Sequence, residues 1–432
     1  MDYDESVLRQ AAERYLAGGP GTFSKHWNRY PQGIAPFGIV SGKGTHVTGT
    51  NGEVYIDTVG ALGPNLLGYG HLEVEEAIIA QVRRGSSFSM VHPLEIETAA
   101  LLCQFLRYAD MVRWCRNGTD ATGMAIRLAR AITGRNNAIF IGYHGGAMDS
   151  YGSTTDKDAG ILPVVQEYNF QYAWSRIDEV IFACNDWCEP ACIMVEVPAL
   201  SWGEDYEYRF RLRQLEQLAA EHNALFILDE IVTFPRYGIH GAQSLYGLSP
   251  DLCTVSKGIA NGLPLAALVG KRQYMEVLNH GNIFASWTFA GEVTALAACK
   301  ATLEACRDSA ALDRIQQYGQ AYGDHLQAQL SHFGLPAQVY GNFARIAVRW
   351  TDIPHGATAA ELRTLWLQEH AKRGILHGIG VIFPNGAWDR SILQTLASTT
   401  TAVCKVMADA IQDSSVAQRI QCPIITDVMS VR

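Results

Sequence analysis

Four short stretches of the chain carry residue types that do chemistry when held together. In Leu252-Cys253-Thr254-Val255-Ser256-Lys257-Gly258, followed by Ile259-Ala260-Asn261-Gly262, one lysine ends an apolar run and meets a glycine-rich turn. A lysine so placed has its amine held away from water, which favours the neutral, nucleophilic form over ammonium. In Leu225-Phe226-Ile227-Leu228-Asp229 an acid closes a run that reads as a buried strand. A buried Asp requires a cationic partner or several hydrogen bonds. The stretch Asn117-Gly118-Thr119-Asp120-Ala121-Thr122 opens an amphipathic helix, where free N–H groups and the positive end of the helix dipole suit a dianionic phosphate. Tyr143-His144-Gly145 follows an apolar run ending at Ile141, so an aromatic ring at a strand end is available to stack on a planar group.

A lysine amine for a Schiff base, a carboxylate for a protonated ring nitrogen, an anion cradle and a flat cover are the four demands of pyridoxal 5′-phosphate (PLP) chemistry. Each stretch read alone also has a plainer explanation. Lys257 could be a solvated surface lysine, Asp229 a cap for the next segment, Thr119 or Asp120 a helix N-cap, and Tyr143 a core or rim aromatic.

The elements that must position these residues follow from periodicity. Thr119 to Thr133 is expected to be a helix, with Met124, Ala125, Leu128, Ala129 and Ile132 on one face and Gly134 as its stop. Asn137 to Ile141, Cys192 to Val197 and Leu225 to Asp229 read as buried strands, with a helix over Phe210 to His222 between the last two. Alternation of this kind implies a mainly parallel sheet covered by helices. Ahead of it, the alternating segment Gly44 to Asp57 around Asn51-Gly52 is a β-hairpin signal. Beyond residue 300 the pattern shifts to long helices, Ala301 to Phe333 and Ala359 to Arg373, with a short strand over Ala344 to Val348. The expected organisation is an N-terminal segment, 1–60, contributing to a small domain, a large domain over 61–300, and a small α+β domain over 301–432.

Composition excludes several classes. With 432 residues, 48% hydrophobic and 18% charged, the chain can bury a large core, and it has no low-complexity tract. A net charge of -9 with scattered Lys and Arg argues against a nucleic-acid binder. No apolar run is long enough to span a bilayer, and the start Met1-Asp2-Tyr3-Asp4-Glu5 is acidic where a signal peptide is basic, so no membrane association and a cytoplasmic location are expected. Ten irregularly placed cysteines read as reduced, mostly buried thiols. Cys184, Cys188 and Cys192 invite a metal reading, but Pro190 and the lack of a His at zinc spacing argue against a metal site.

Taken in order, these stretches resemble the class III aminotransferases, most closely the glutamate-1-semialdehyde aminomutase branch. The resemblance runs from about Gly42 to Glu304 and more loosely to about residue 410. It rests on Tyr55-Ile56-Asp57, Leu67-Gly68-Tyr69-Gly70-His71, Asn117 to Ala121, Ala125 to Arg130, Tyr143-His144-Gly145, Leu228-Asp229-Glu230-Ile231, Gly241 to Gln243, Ser249 to Leu252, Ser256-Lys257-Gly258 and Thr288-Phe289-Ala290-Gly291. It implies the fold-type I PLP-transferase architecture, an α/β large domain on a mainly parallel seven-stranded sheet with a smaller α+β domain. By the same resemblance Lys257 is the Schiff-base lysine, Asp229 meets the pyridine nitrogen, and Ile231 and Tyr143, with His144 beside it, flank the ring. Gly118 and Thr119 would bind the phosphate. Glu196 and Ser201 would lie toward the cofactor's phenolic edge. Thr288 would reach the phosphate of a neighbouring subunit, which implies a homodimer with shared active sites acting on a small amine or carbonyl substrate.

Three departures bear on substrate. Gly33-Ile34-Ala35-Pro36-Phe37-Gly38 lacks the arginine with which aminomutase relatives hold the substrate carboxylate, Phe234-Pro235 replaces the usual Gly-Phe before Arg236, and Glu292 stands where many members have Asn. These changes fit a neutral, hydroxyl-rich or large amine better than glutamate-1-semialdehyde. The reaction implied is transamination; decarboxylation, racemisation or aminomutation would use the same electron sink.

Overall fold

The computed structural model describes residues 3–145, 155–197 and 205–427. The chain forms two compact units, one built from residues up to His71 together with Ala310 onward, the other from the intervening stretch beginning at Leu72 and ending at Ser309.

After an N-terminal helix, Glu5–Tyr15, the first unit has three antiparallel strands, β1 (Ile39–Lys43), β2 (His46–Gly49) and β3 (Val54–Asp57). The Asn51-Gly52 corner makes the β2–β3 hairpin, with Gly52 at φ 81°. Val47 on β2 pairs with Tyr55 on β3, and both side chains enter a small core with Ala35, Ala371 and Leu376.

The second unit is organised by seven strands: β4 (Met111–Cys115), β5 (Asn137–Ile141), β6 (Asn169–Tyr172), β7 (Pro190–Glu196), β8 (Leu225–Asp229), β9 (Leu252–Val255) and β10 (Ala266–Gly270). Their spatial order is β4-β10-β9-β8-β7-β5-β6. Only β10 runs against its neighbours, so the other six point the same way. Every residue of β7, β8, β9 and β10 is buried, which explains why these strands read as continuous apolar runs rather than alternating ones. The helix Gly118–Thr133 lays Met124, Ala125, Leu128 and Ala129 on this sheet against Phe140, Met194 and Ile227, and ends at Gly134 in the left-handed conformation, φ 68°.

The chain then returns to the first unit with β11 (Ala337–Asn342), β12 (Arg345–Trp350) and β13 (Ile375–Leu376); β13 adds to β3 in parallel. The single helix expected over Ala301 to Phe333 is two helices, Val293–Asp308 and Ala311–His332. Ser309 breaks it by taking an extended conformation, φ -122° and ψ 166°, and this break coincides with the passage between units. All ten cysteines are free, eight of them buried, and no group of three or more metal-ligating side chains occurs among the described residues. No helix among them is long and apolar enough to cross a membrane.

Candidate active site

Strand direction brings the chemically suggestive residues to one edge of the seven-stranded sheet. Asp229 is the last residue of β8 and pairs in register with Glu196, the last of β7. Thr254 on β9 lies opposite Asp229 on its other side, and Lys257 begins the turn immediately beyond β9. Tyr143 and His144 follow β5, and Asn117-Gly118-Thr119 follow β4 at the same edge. Carboxyl ends of parallel strands are where open α/β sheets gather their ligands, because the loops there converge on a crevice the helices leave open.

Asp229, 2% exposed, is held from three sides. Its Oδ1 accepts from Thr254 Oγ1 at 3.0 Å and from the Ile231 N–H at 3.1 Å, while Oδ2 lies 2.9 Å from His144 Nδ1. The other ring nitrogen of His144 lies 3.2 Å from the Ile141 carbonyl, and Thr122 Oγ1 donates to the His144 carbonyl at 3.1 Å. Both ring nitrogens of His144 thus face oxygen acceptors, one of them the Asp229 carboxylate. Next along the chain, buried Glu230 accepts from the N–H groups of Ala242 and Gln243 and from Thr233 Oγ1, which anchors the loop carrying Ile231. Burial raises the Glu230 carboxyl above its usual range.

Tyr143 donates its backbone N–H to Glu196 Oε2 at 3.1 Å. Burial, and then the charges of Glu196 and Asp229, push its phenol above its ordinary value. Lys257 is half-buried and takes a left-handed backbone conformation, φ 46°, rare for a residue with a side chain. Ser256 before it fixes the strand end by donating Oγ to the Leu265 carbonyl at 2.7 Å. Strained backbone of this kind persists where surrounding contacts over-determine it, and it clusters at functional sites.

The start of the helix Gly118–Thr133 fits an anion. The Asp120 carboxylate accepts from Asn117 N and Nδ2, and the Asp120 and Ala121 N–H groups return to the Asn117 carbonyl. No described group accepts from the N–H of Gly118 or Thr119. A Cβ on Gly118 would stand 2.7 Å from Ile231 Cδ1, so only glycine lets the cradle and the Ile231 side chain approach this closely. Two unused amides at a helix N-terminus, an isoleucine beside them and a triply held buried carboxylate form a donor set that PLP would complete.

Two further sequence-suggested residues are Ser201 and Thr288. Ser201 lies outside the described residues. Thr288 is exposed on the segment before Val293 and makes no hydrogen bond with described residues of its own chain. It does not cap the helix that follows: Glu292 does, accepting from Thr294 N and Ala295 N at 3.0 Å each. The Glu292 carboxylate is thus engaged by its own helix. Sequence reasoning passed over Thr254 and Thr122, which orient Asp229 and His144; only the strand register and the β5 turn reveal them, since nothing in the local sequence sets them apart from other strand or helix threonines.

The family model described as aminotransferase class-III matches residues 30–352. Over 360 residues, spanning 80% of this chain and 83% of the relative, the sequence is 32% identical to glutamate-1-semialdehyde 2,1-aminomutase of Persephonella marina. It is 30% identical over 338 residues to 3-aminobutyryl-CoA aminotransferase of Cloacimonas acidaminovorans, spanning 77% of this chain and 80% of that one. A solved transaminase with PLP bound superposes with a TM-score of 0.83 at 25% identity, spanning 95% of this chain and 99% of the other.

Proposed function

The chain belongs to the class III aminotransferases and is a PLP-dependent enzyme, and on that premise we propose that Lys257, Asp229 and the Gly118-Thr119 amides are its working residues, moving an amino group between a small amine and a carbonyl acceptor. The observation that carries this reading is the convergence of a triply held carboxylate, a strained lysine and two unused amides on one sheet edge. When bound, PLP supplies a carbonyl that condenses with amines and a protonated ring that takes up the electrons left when a bond to the substrate carbon breaks.

The chain's residues do the rest. Lys257 Nζ would hold the cofactor, and when free its neutral amine would serve as the base that moves a proton at the substrate carbon. Asp229 keeps the proton on the ring nitrogen, and its bonds to Thr254, Ile231 and His144 prevent it from turning aside. The N–H groups of Gly118 and Thr119 would bind the phosphate, Tyr143 and Ile231 would flank the ring, and Glu196 would face the phenolic edge. Thr288 is presented to the phosphate of a second copy in a cytosolic homodimer.

On substrate, the glycine-rich stretch Gly33 to Gly38 supports an amine other than glutamate-1-semialdehyde, because it offers no guanidinium for a carboxylate. A neutral, hydroxyl-rich or sugar-like amine suits that stretch. Glu292 carries no weight in this choice, since its carboxylate caps a helix. The test is to supply ¹⁵N-labelled amines with a 2-oxo acid. Label arriving on the acceptor supports transamination, whereas carbon dioxide release or epimerisation without nitrogen transfer rejects it in favour of decarboxylase or racemase chemistry.

A further inference from the structure

The segment from Phe284 to Glu292, which carries Thr288, lacks regular structure, yet it is firmly attached. Three arginines hold it, one from β4, one from the helix Gly118–Thr133 and one from the turn that joins them. Arg113 on β4 donates Nη2 to the Ala285 carbonyl, and Arg127 on the helix Gly118–Thr133 donates Nη1 to the Phe284 carbonyl at 3.1 Å. Arg116, immediately before Asn117, pairs with Glu292 Oε2 at 3.8 Å. Between these anchor points Trp287 packs on Cys115, Ala121 and Ala266. The segment is therefore tied at both ends and in the middle to its own chain, while Phe284 and Phe289 remain 73% and 60% exposed and Thr288 lies exposed between them.

Exposed arginines are ordinarily solvated, and single surface ion pairs contribute little. Three guanidinium groups directed to one nine-residue segment are another matter. Two of them satisfy carbonyls that have no strand or helix partner. We infer that Arg113, Arg116 and Arg127 form a clasp whose role is to fix Thr288 for the neighbouring subunit's cofactor phosphate. They are positioning residues that act on the partner's site and not on their own. The inference rests on the shared-site reading of Thr288 proposed above.

The two ideas separate in mixed dimers, with cofactor occupancy as the readout. Borohydride traps PLP only on a chain that has Lys257, so intact-mass measurement counts occupancy of that chain's site alone. In the Arg127→Ala homodimer, half-occupancy should require about tenfold more PLP than in the unaltered enzyme, equivalent to about 1.4 kcal/mol. Paired with a Lys257→Ala chain, the Arg127→Ala chain receives Thr288 from an intact clasp, and its titration should return to the unaltered curve. A Thr288→Ala chain in the same format should behave alike. If Thr288→Ala recovers in the mixed dimer but Arg127→Ala keeps its defect, Arg127 acts on its own cradle and the clasp is rejected. An Arg127→Ala homodimer that titrates like the unaltered protein rejects it as well. If Thr288→Ala fails to recover, the shared site itself is wrong. Should Arg127→Ala not fold, Glu292→Gln serves in its place: it removes the partner of Arg116 while leaving an oxygen to cap Thr294, and the same two outcomes decide.

Discussion

Asp229 draws its three hydrogen bonds from three different elements: β9, the loop after β8 and the turn after β5. On the proposed reading, a carboxylate fixed this way keeps a cationic ring nitrogen protonated. Asp229→Asn keeps the shape and loses the charge, so cofactor binding should survive while turnover falls by at least about 10²-fold, as when other electrostatic stabilisers are removed. Steady-state rates with the cofactor-loaded variant check this; near-normal turnover would place the ring's partner elsewhere. Lys257→Ala should fold, as judged by its melting curve, yet yield no borohydride-trapped cofactor adduct by intact mass. An adduct persisting in that variant would show that another lysine carries PLP. The left-handed backbone at Lys257 costs on the order of 1–3 kcal/mol, which the buried strand ends and the Ser256 anchor must offset.

Among the elements, the helix Ala359–Ala371 and strand β13 bring two histidines together inside the first unit. His370 and His377 have ring centroids 4.4 Å apart beside Trp366, and both are buried. His370 Nδ1 meets the Trp366 carbonyl at 2.9 Å, and His377 Nδ1 meets Thr58 Oγ1 at 2.7 Å. Burial lowers the His370 pKa from 6.5 to about 4, with Arg373 adding to the shift and Glu369 opposing it; burial, and then His370, lowers His377 further. In the unfolded chain both rings take up protons near pH 6.5, whereas in the folded chain they resist. The neutral pair therefore contributes stability that is fully present above about pH 6.5 and is lost as pH falls toward the folded value. For His370 alone the loss is on the order of 3 kcal/mol. The melting temperature should drop between pH 7 and pH 5, and His370→Gln should flatten that slope; an unchanged slope would assign the acid sensitivity to other groups.

At the scale of the whole molecule, the exposed apolar side chains of the second unit call for cover. Met90 is 82% exposed, Phe284 73%, Val91 65% and Phe289 60%. A homodimer that shared its cofactor sites would cover such groups in an interface beyond about 2,000 Å². Phe289→Asp should shift sedimentation toward the monomer and release cofactor in step, because Thr288 is its neighbour. A variant that stays dimeric and keeps its cofactor would remove Phe289 from the contact.

The sequence by itself supplied the candidate residues for PLP chemistry and determined a helix expected over Thr119 to Thr133 with Gly134 as its stop, the buried strands, and the mainly parallel sheet. Each depends on local periodicity, on capping chemistry or on a run of apolar residues, all of which are written in consecutive positions. What only the tertiary structure decided depends on partners distant in sequence. The register of β8 against β9 puts Thr254 beside Asp229, and the turn after β5 swings His144 onto the same carboxylate. Ser309 splits what reads as one long helix, because the passage from one unit to the other overrides helix propensity there. Glu292 looks like a substrate-selecting acid in the sequence and proves to be a helix cap, since its lone pairs go to backbone amides two and three residues on. The attachment of the Thr288 segment by Arg113, Arg116 and Arg127 is likewise invisible until β4, the cradle helix and that segment are brought together, because surface arginines carry no local mark of the carbonyl or carboxylate they will meet.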